Sequence, residues 1–401
     1  MRLSRRLPDS LEENDLALAL RARAVQGGDL VDLTVSNPTD CDLPTLEARL
    51  RPLLDAPSLW RYRPDPHGDL EVREAIAAYH QGCVTPGHII PTASTSEAYS
   101  WLFKLLGDPG DEVLVPTPSY PLFTWLARLE GMTAVPVPSW WHDRWMLDLA
   151  AIEAARTPRT RALVVVNPNN PTGQLLSSTE WSALLEWASR HNVALLVDEV
   201  FLDYLLEPAE ASLGSVLGQE SPEVPVFVLS GLSKVAALPQ VKLGWIAAHG
   251  GPAERLLPAL TFLADQYLSV SAAAQVLGVA ALAHRGDVQG PLQDRLRGNL
   301  RILDHALDEH PHLSRLPVEG GWSVLLRRPA VSSGELCAER LICDHGVRVH
   351  PGCAFDLPGE QYLVLSLLPA PGVFAEGLAR LFQGLKGPDG CTMRSANHLS
   401  L

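Results

Sequence analysis

Short apolar runs, each ended by polar or turn-forming residues, recur along the first two-thirds of the chain. They are Leu30–Val35, Glu112–Pro116, Thr133–Val137, Arg161–Val166, Leu195–Val197, Val226–Leu229 and Leu243–Ala248. Runs that are apolar at successive positions predict strands buried on both faces. Helical spacing fills the intervals. Ala98, Trp101, Leu102, Leu105 and Leu106 fall at i, i+3, i+4, i+7 and i+8, a single stripe on a helix opened by Thr92-Ala-Ser-Thr-Ser96. The Pro- and Gly-bearing turn Trp60–Gly68 precedes a second helix, Asp69–Tyr79. Alternation of this kind predicts a wound α/β sheet.

The rhythm changes further along. Residues 253–310 read as helices, followed by short strands within 318–326, 346–352 and 362–367 and a closing helix over 374–385. This predicts a second, smaller α+β unit. The domain reading is a 1–50 segment that joins the small domain, a large domain over 51–295, a small domain over 296–386, and a frayed tail over 387–401. The tryptophan-rich stretch Trp140–Trp145 reads as packing.

Composition narrows the function. The 401 residues carry 32 Lys+Arg against 46 Asp+Glu, a formal charge of −14. That balance disfavours nucleic acid, whose phosphates need a basic face. Six cysteines lie scattered without paired spacing, so neither a disulfide framework nor a metal site is expected. No apolar run approaches the roughly 20 residues of a membrane span, and no secretory leader is visible. The expectation is a cytoplasmic protein without nucleic-acid or membrane partners.

Candidate chemistry gathers at the ends of the strands. Val226–Leu229 leads into Ser230-Gly-Leu-Ser-Lys234, where small and apolar neighbours surround one lysine. Such surroundings desolvate an ammonium and lower its pKa, as a Schiff-base lysine requires. Asn170 follows the strand Arg161–Val166, and Asp198 ends Leu195–Asp198. All three therefore fall at the carboxyl edge of one sheet, where open α/β sheets bind ligands.

Asn170, Asp198 and Lys234 stand 28 and 36 residues apart, in an order and spacing that resemble the class I/II aminotransferases of the fold-type I pyridoxal 5′-phosphate (PLP) family. The resemblance covers about residues 30–385. It implies a mainly parallel seven-stranded sheet, PLP as cofactor and a homodimer with shared active sites. Lys234 would hold the cofactor and move the proton, Asp198 would keep the pyridine nitrogen protonated, and Asn170 would donate to the ring hydroxyl. Ser94, Thr95 and Ser96 would bind the phosphate at a helix N-terminus, helped by Ser230, Ser233 and Lys242. Tyr120 would stack on the ring, Phe201 takes the place of a tyrosine that donates to the ring hydroxyl, and Tyr62 would reach the partner's phosphate. Asn37 would lie at the site mouth.

Several departures from the family pattern matter. Lys242 replaces the usual phosphate arginine and lacks its two-pronged geometry. Ser230 stands four residues before the lysine, where the family's serine stands three before, at Gly231 here. Val364 occupies the place of the arginine that clamps an amino acid's carboxylate, leaving Arg348 as the nearest substitute or else a substrate that is not a simple α-amino acid. Lyases, decarboxylases, racemases and oxidases share these cofactor motifs and remain alternatives. A PLP-binding regulator fused to a DNA-binding helix-turn-helix is a third class, disfavoured by the short N-terminal segment and the acidic charge.

Overall fold

The computed structural model describes residues 3–8, 11–220 and 222–386; the tail expected over 387–401 lies outside them. The N-terminal strand is β1, Val31–Asp32. The large sheet then takes β2 (Ile89–Thr92), β3 (Glu112–Thr117), β4 (Thr133–His142), β5 (Arg144–Leu147), β6 (Thr160–Val166), β7 (Ala194–Asp198), β8 (Val226–Gly231) and β9 (Gly244–His249). Their spatial order is β2-β9-β8-β7-β6-β3-β4-β5. The pairs β4/β3, β3/β6, β6/β7 and β7/β8 are parallel, whereas β9 runs antiparallel to both its neighbours. Seven strands thus form the mainly parallel wound sheet, and β5 adds an eighth as a hairpin on its edge.

Successive side chains on a strand point to opposite faces. Val113, Val164, Leu196, Phe227, Leu229 and Ile246 pack toward the helices Thr95–Leu106 and Leu257–Tyr267. Leu114, Leu163, Val165, Leu195, Val197, Val228 and Trp245 pack toward the helices Leu70–Tyr79, Ser178–His191 and Ala272–Ala283. Both faces are therefore dry, which explains why these strands read as unbroken apolar runs. Each fully buried Leu or Val contributes about 1.5–3 kcal/mol relative to exposure.

The tryptophan-rich stretch packs, as expected, and does so on a hairpin. The run expected over 133–137 continues to His142 and turns back at Asp143, whose φ is +60°. Aspartate tolerates this left-handed conformation better than most residues. The hairpin puts Trp141 and Trp145 against a second sheet.

That sheet takes β10 (Ser314–Arg315), β11 (Ser323–Arg327), β13 (His350–Pro351) and β14 (Tyr362–Ser366), in the order β10-β11-β14-β13. The intervening strand β12, Val347–Arg348, pairs instead in parallel with β1. Val324, Leu326, Leu363 and Leu365 join the main core with Leu378 and Phe382 of the helix Pro371–Leu385. The opposite face, Leu325, Tyr362 and Val364, forms a separate cluster with Leu316, Phe355, Leu357 and Trp145, and Trp141 packs against it.

Candidate active site

Parallel pairing of β3, β6, β7 and β8 aligns their carboxyl ends along one edge. Tyr120 follows β3, Asn170 follows β6, Asp198 ends β7, and Lys234 lies in the single helical turn Leu232–Val235 directly after β8. The lysine is half-buried. Its Nζ lies 3.4 Å from the carbonyl oxygen of Ser36, 4.5 Å from the ring centre of Trp322 and 5.4 Å from that of Phe201. Burial lowers its pKa to about 8, opposed by the charge of Asp198. A sizeable fraction of the amine is therefore neutral, and nucleophilic, near physiological pH.

Asp198 is buried on the face that carries the helix Thr95–Leu106. Tyr99 of that helix donates its hydroxyl to Oδ2 at 2.9 Å, and the Val200 N–H donates to Oδ1 at 3.1 Å. Burial raises the carboxyl pKa to about 6, while the Val200 N–H, Tyr99 and Lys234 hold it down. Asp198 stays largely ionised at neutral pH. Tyr99, missed in the sequence, is fully buried. Its position one step from the stripe residue Ala98 made it look like flank, not chemistry.

The same helix presents its N-terminus to this edge. Ser94 is the N-cap and accepts from the Glu97 N–H at 3.2 Å, while the Ala93 N–H donates to Glu97 Oε2 at 2.6 Å. The N–H groups of Thr95 and Ser96 have no partner inside the helix, as at any helix start, and offer an anion site. Gly244, the first residue of β9, packs directly on this end. A Cβ there would come within 3.0 Å of Ser94 C and Thr95 N. Lys242, two residues earlier, is exposed and has φ +62°. Among the described residues it has no ion pair, and Ser233 lies half-buried beside Lys234.

An aromatic wall closes the lysine's other side. Phe201 and Tyr204 meet the Trp322 ring edge-on at 5.4 and 5.2 Å, and the Tyr204 hydroxyl donates to the Lys234 carbonyl at 2.6 Å. The indole Nε1 of Trp322 is buried without a partner among the described residues. Trp322 and Tyr204 were also unrecognised in the sequence. They come together where the Gly321 N–H donates to the Tyr204 carbonyl at 2.8 Å.

Other expected residues fall differently. Ser230 shares strand parity with Val226 and Val228, so it faces Tyr79 on the side away from Asp198. Its offset of one position from the family's serine turns it to the face opposite Asp198. Asn37 is used up in its own turn: Oδ1 accepts from the Thr39 N–H at 3.2 Å and hydroxyl at 2.8 Å, and Nδ2 donates to Asp40 at 2.8 Å. Arg348 is not a free clamp either, because register places it opposite Asp32, to which it donates at 3.1 Å. Val364 is 1% exposed, inside the cluster with Trp145 and Phe355. Asn170 is half-buried with no side-chain partner among the described residues. Tyr120 is half-exposed beside Ser119, whose N–H donates to the Phe355 carbonyl at 3.0 Å. Tyr62 is 84% exposed and lines a cleft of about 1160 Å³ with Trp60, Arg63 and Ser269. Ser269 donates to Glu97 at 2.6 Å, so this cleft adjoins the helix N-terminus.

A neutralisable lysine, a buried carboxylate at the next strand end and an outward helix N-terminus suit PLP's aldehyde, pyridine nitrogen and phosphate in turn. Fold and donor set together define a PLP-dependent enzyme of the fold-type I class. A profile of the family Aminotransferase class I and II matches residues 28–367. The chain belongs to that family and is a PLP-dependent aminotransferase. It is 31% identical to the aspartate/prephenate aminotransferase of Thermus thermophilus, over 87% of this chain and 89% of that one. Identity to the alanine aminotransferase of Mycobacterium tuberculosis is 27%, over 89% and 85%. Among solved structures, the alanine aminotransferase of Pyrococcus furiosus superposes with a TM-score of 0.86 at 26% identity, covering 96% of this chain and all (100%) of that chain. Among the described residues, no helix is long and apolar enough to cross a membrane.

Proposed function

We propose that the chain moves the amino group of a carboxylate-bearing amine to a 2-oxo acid, with Lys234 as the residue that holds PLP and shuttles the substrate's Cα proton. The observation that carries this is the half-buried Lys234 amine, with its pKa lowered to about 8, at the strand end next to Asp198. Bound PLP supplies the electron sink. Asp198 holds the proton on the pyridine nitrogen, Asn170 donates to the ring hydroxyl, and Tyr120 covers one face of the ring. Thr95 and Ser96, with the Ser94 cap, Ser233 and Lys242, take the phosphate. Phe201 and Trp322 keep water from the lysine.

This reading places the catalytic unit in residues 51–295, with 1–50 and 296–386 forming its cover. It also takes the enzyme to be a cytoplasmic homodimer. Cys41, Cys83, Cys337, Cys343 and Cys353 are all free thiols, as in a reducing compartment. Trp60 and Tyr62 are each 84% exposed on one chain, an apolar surface suited to a second copy. The test is stoichiometric. Incubated with an amino acid alone, the holoenzyme should take up one amino group per site and release it to an added 2-oxo acid. Release of free ammonia without any 2-oxo acid would overturn the reading.

A further inference from the structure

The cover of the site holds an unpartnered imidazole beside the position where the carboxylate clamp is missing. His350 is the register partner of Val364 across the antiparallel pair β13/β14. Directly opposed residues share a face, with Cβ atoms about 5 Å apart. His350 is half-buried and its ring makes no hydrogen bond to the described residues. Val349, between it and Arg348, is buried in the main core, so Arg348 and His350 both point to the other face.

Three links tie that face to the lysine chamber. Ser366 lies two positions from Val364 on the same strand face, and its hydroxyl donates to the Val35 carbonyl at 2.5 Å. The next residue, Ser36, is the one whose carbonyl meets Lys234 Nζ at 3.4 Å. On the other side, the His350 ring meets Phe355 edge-on at 5.5 Å, and the Phe355 carbonyl accepts from the N–H of Ser119, the neighbour of Tyr120. His350 is thus tied through Phe355 to the loop of Tyr120, and its register partner Val364 through Ser366 to the segment over Lys234.

Resting on the aminotransferase reading, we propose that His350 recognises the carboxylate of the amino donor, in place of an arginine at position 364. The imidazole binds as its cation, so substrate and a proton are taken up together. The charged groups acting on His350 are Arg348, which disfavours its protonation, and Asp32 on β1, which favours it; burial is the larger influence and keeps the free imidazole below its ordinary pKa. Val364, its register partner, and Phe355, its ring partner, carry no charge. A bound carboxylate reverses this balance, because an adjacent anion stabilises the imidazolium. A fixed arginine would bind carboxylates regardless of pH; a histidine makes the affinity fall as pH rises.

The experiment is the pH dependence of KM for an amino acid and for its decarboxylated amine, in the wild-type holoenzyme and in His350→Gln and His350→Arg. In the wild type, KM for the amino acid should climb with pH across neutrality, while that for the amine does not. His350→Gln should raise the amino-acid KM about tenfold or more near pH 6, flatten the climb, and change kcat less. His350→Arg, permanently charged, should keep a low KM and also flatten it. A climb that survives both substitutions, or a KM for the amino acid unchanged in His350→Gln, overturns the proposal. Failure of the wild type to transfer any amino group would instead overturn the underlying reading.

Discussion

Lys234 and Asp198 set each other's protonation, and neither is read correctly alone. Burial costs each its charge, while the opposite charge of the other returns part of it. In the apoenzyme, the rate of covalent PLP attachment should therefore rise with pH and level off above about 8, as the neutral amine becomes the main form. Asp198 raises the lysine's pKa, so Asp198→Asn should shift that plateau to lower pH; stopped-flow absorbance reads both. Tyr99→Phe removes a hydrogen bond that lowers the Asp198 pKa. The carboxyl should then be protonated to a larger extent at neutral pH, and PLP affinity should fall by about tenfold, the scale of one hydrogen bond to a charged group. Arg348→Ala works in the opposite place. Loss of the guanidinium that disfavours the His350 cation should move the pH climb of the amino-acid KM upward, without removing it.

At the scale of elements, the strand ends were legible because buried parallel strands are apolar at every position and their polar terminators stand out. Asn170, Asp198 and Lys234 could be read from that pattern together with their spacing. Tyr99, Tyr204 and Trp322 could not, because each meets the site across the fold through contacts that no local periodicity encodes. Ser230 shows the cost of a one-residue offset, since parity alone sends it to Tyr79. The hairpin β4–β5 was hidden because its tryptophans lack the uniform apolar run of the inner strands. Its Trp145 is 3% exposed between the two sheets. Trp145→Ala should cost about 3–5 kcal/mol in chemical denaturation. Gly244→Ala tests the contact between β9 and the phosphate-site helix. The added methyl, 3.0 Å from Ser94 and Thr95, should lower stability by about 1–3 kcal/mol and weaken PLP binding.

At the scale of the whole molecule, the proposed homodimer turns on Tyr62. Tyr62 is 84% exposed on one chain, yet its cleft reaches Ser269 and, through it, Glu97 at the helix start. If Tyr62 serves the neighbouring site, mixing Tyr62→Phe chains with Lys234→Ala chains builds hybrids in which one site has both residues intact. PLP titration should then recover a fraction of wild-type affinity that neither parent shows; no recovery would mean that Tyr62 acts within its own chain or not at all. Attachment of PLP to Lys234, proposed as the function of this sheet edge, can be tested more directly. Holoenzyme reduced with borohydride and digested should yield one PLP-modified peptide, carrying the label on Lys234 of the Ser230–Trp245 segment. Lys234→Ala should yield none and lose turnover by about 10²–10⁴-fold or more. Label on another lysine, or undiminished turnover without Lys234, would contradict the account.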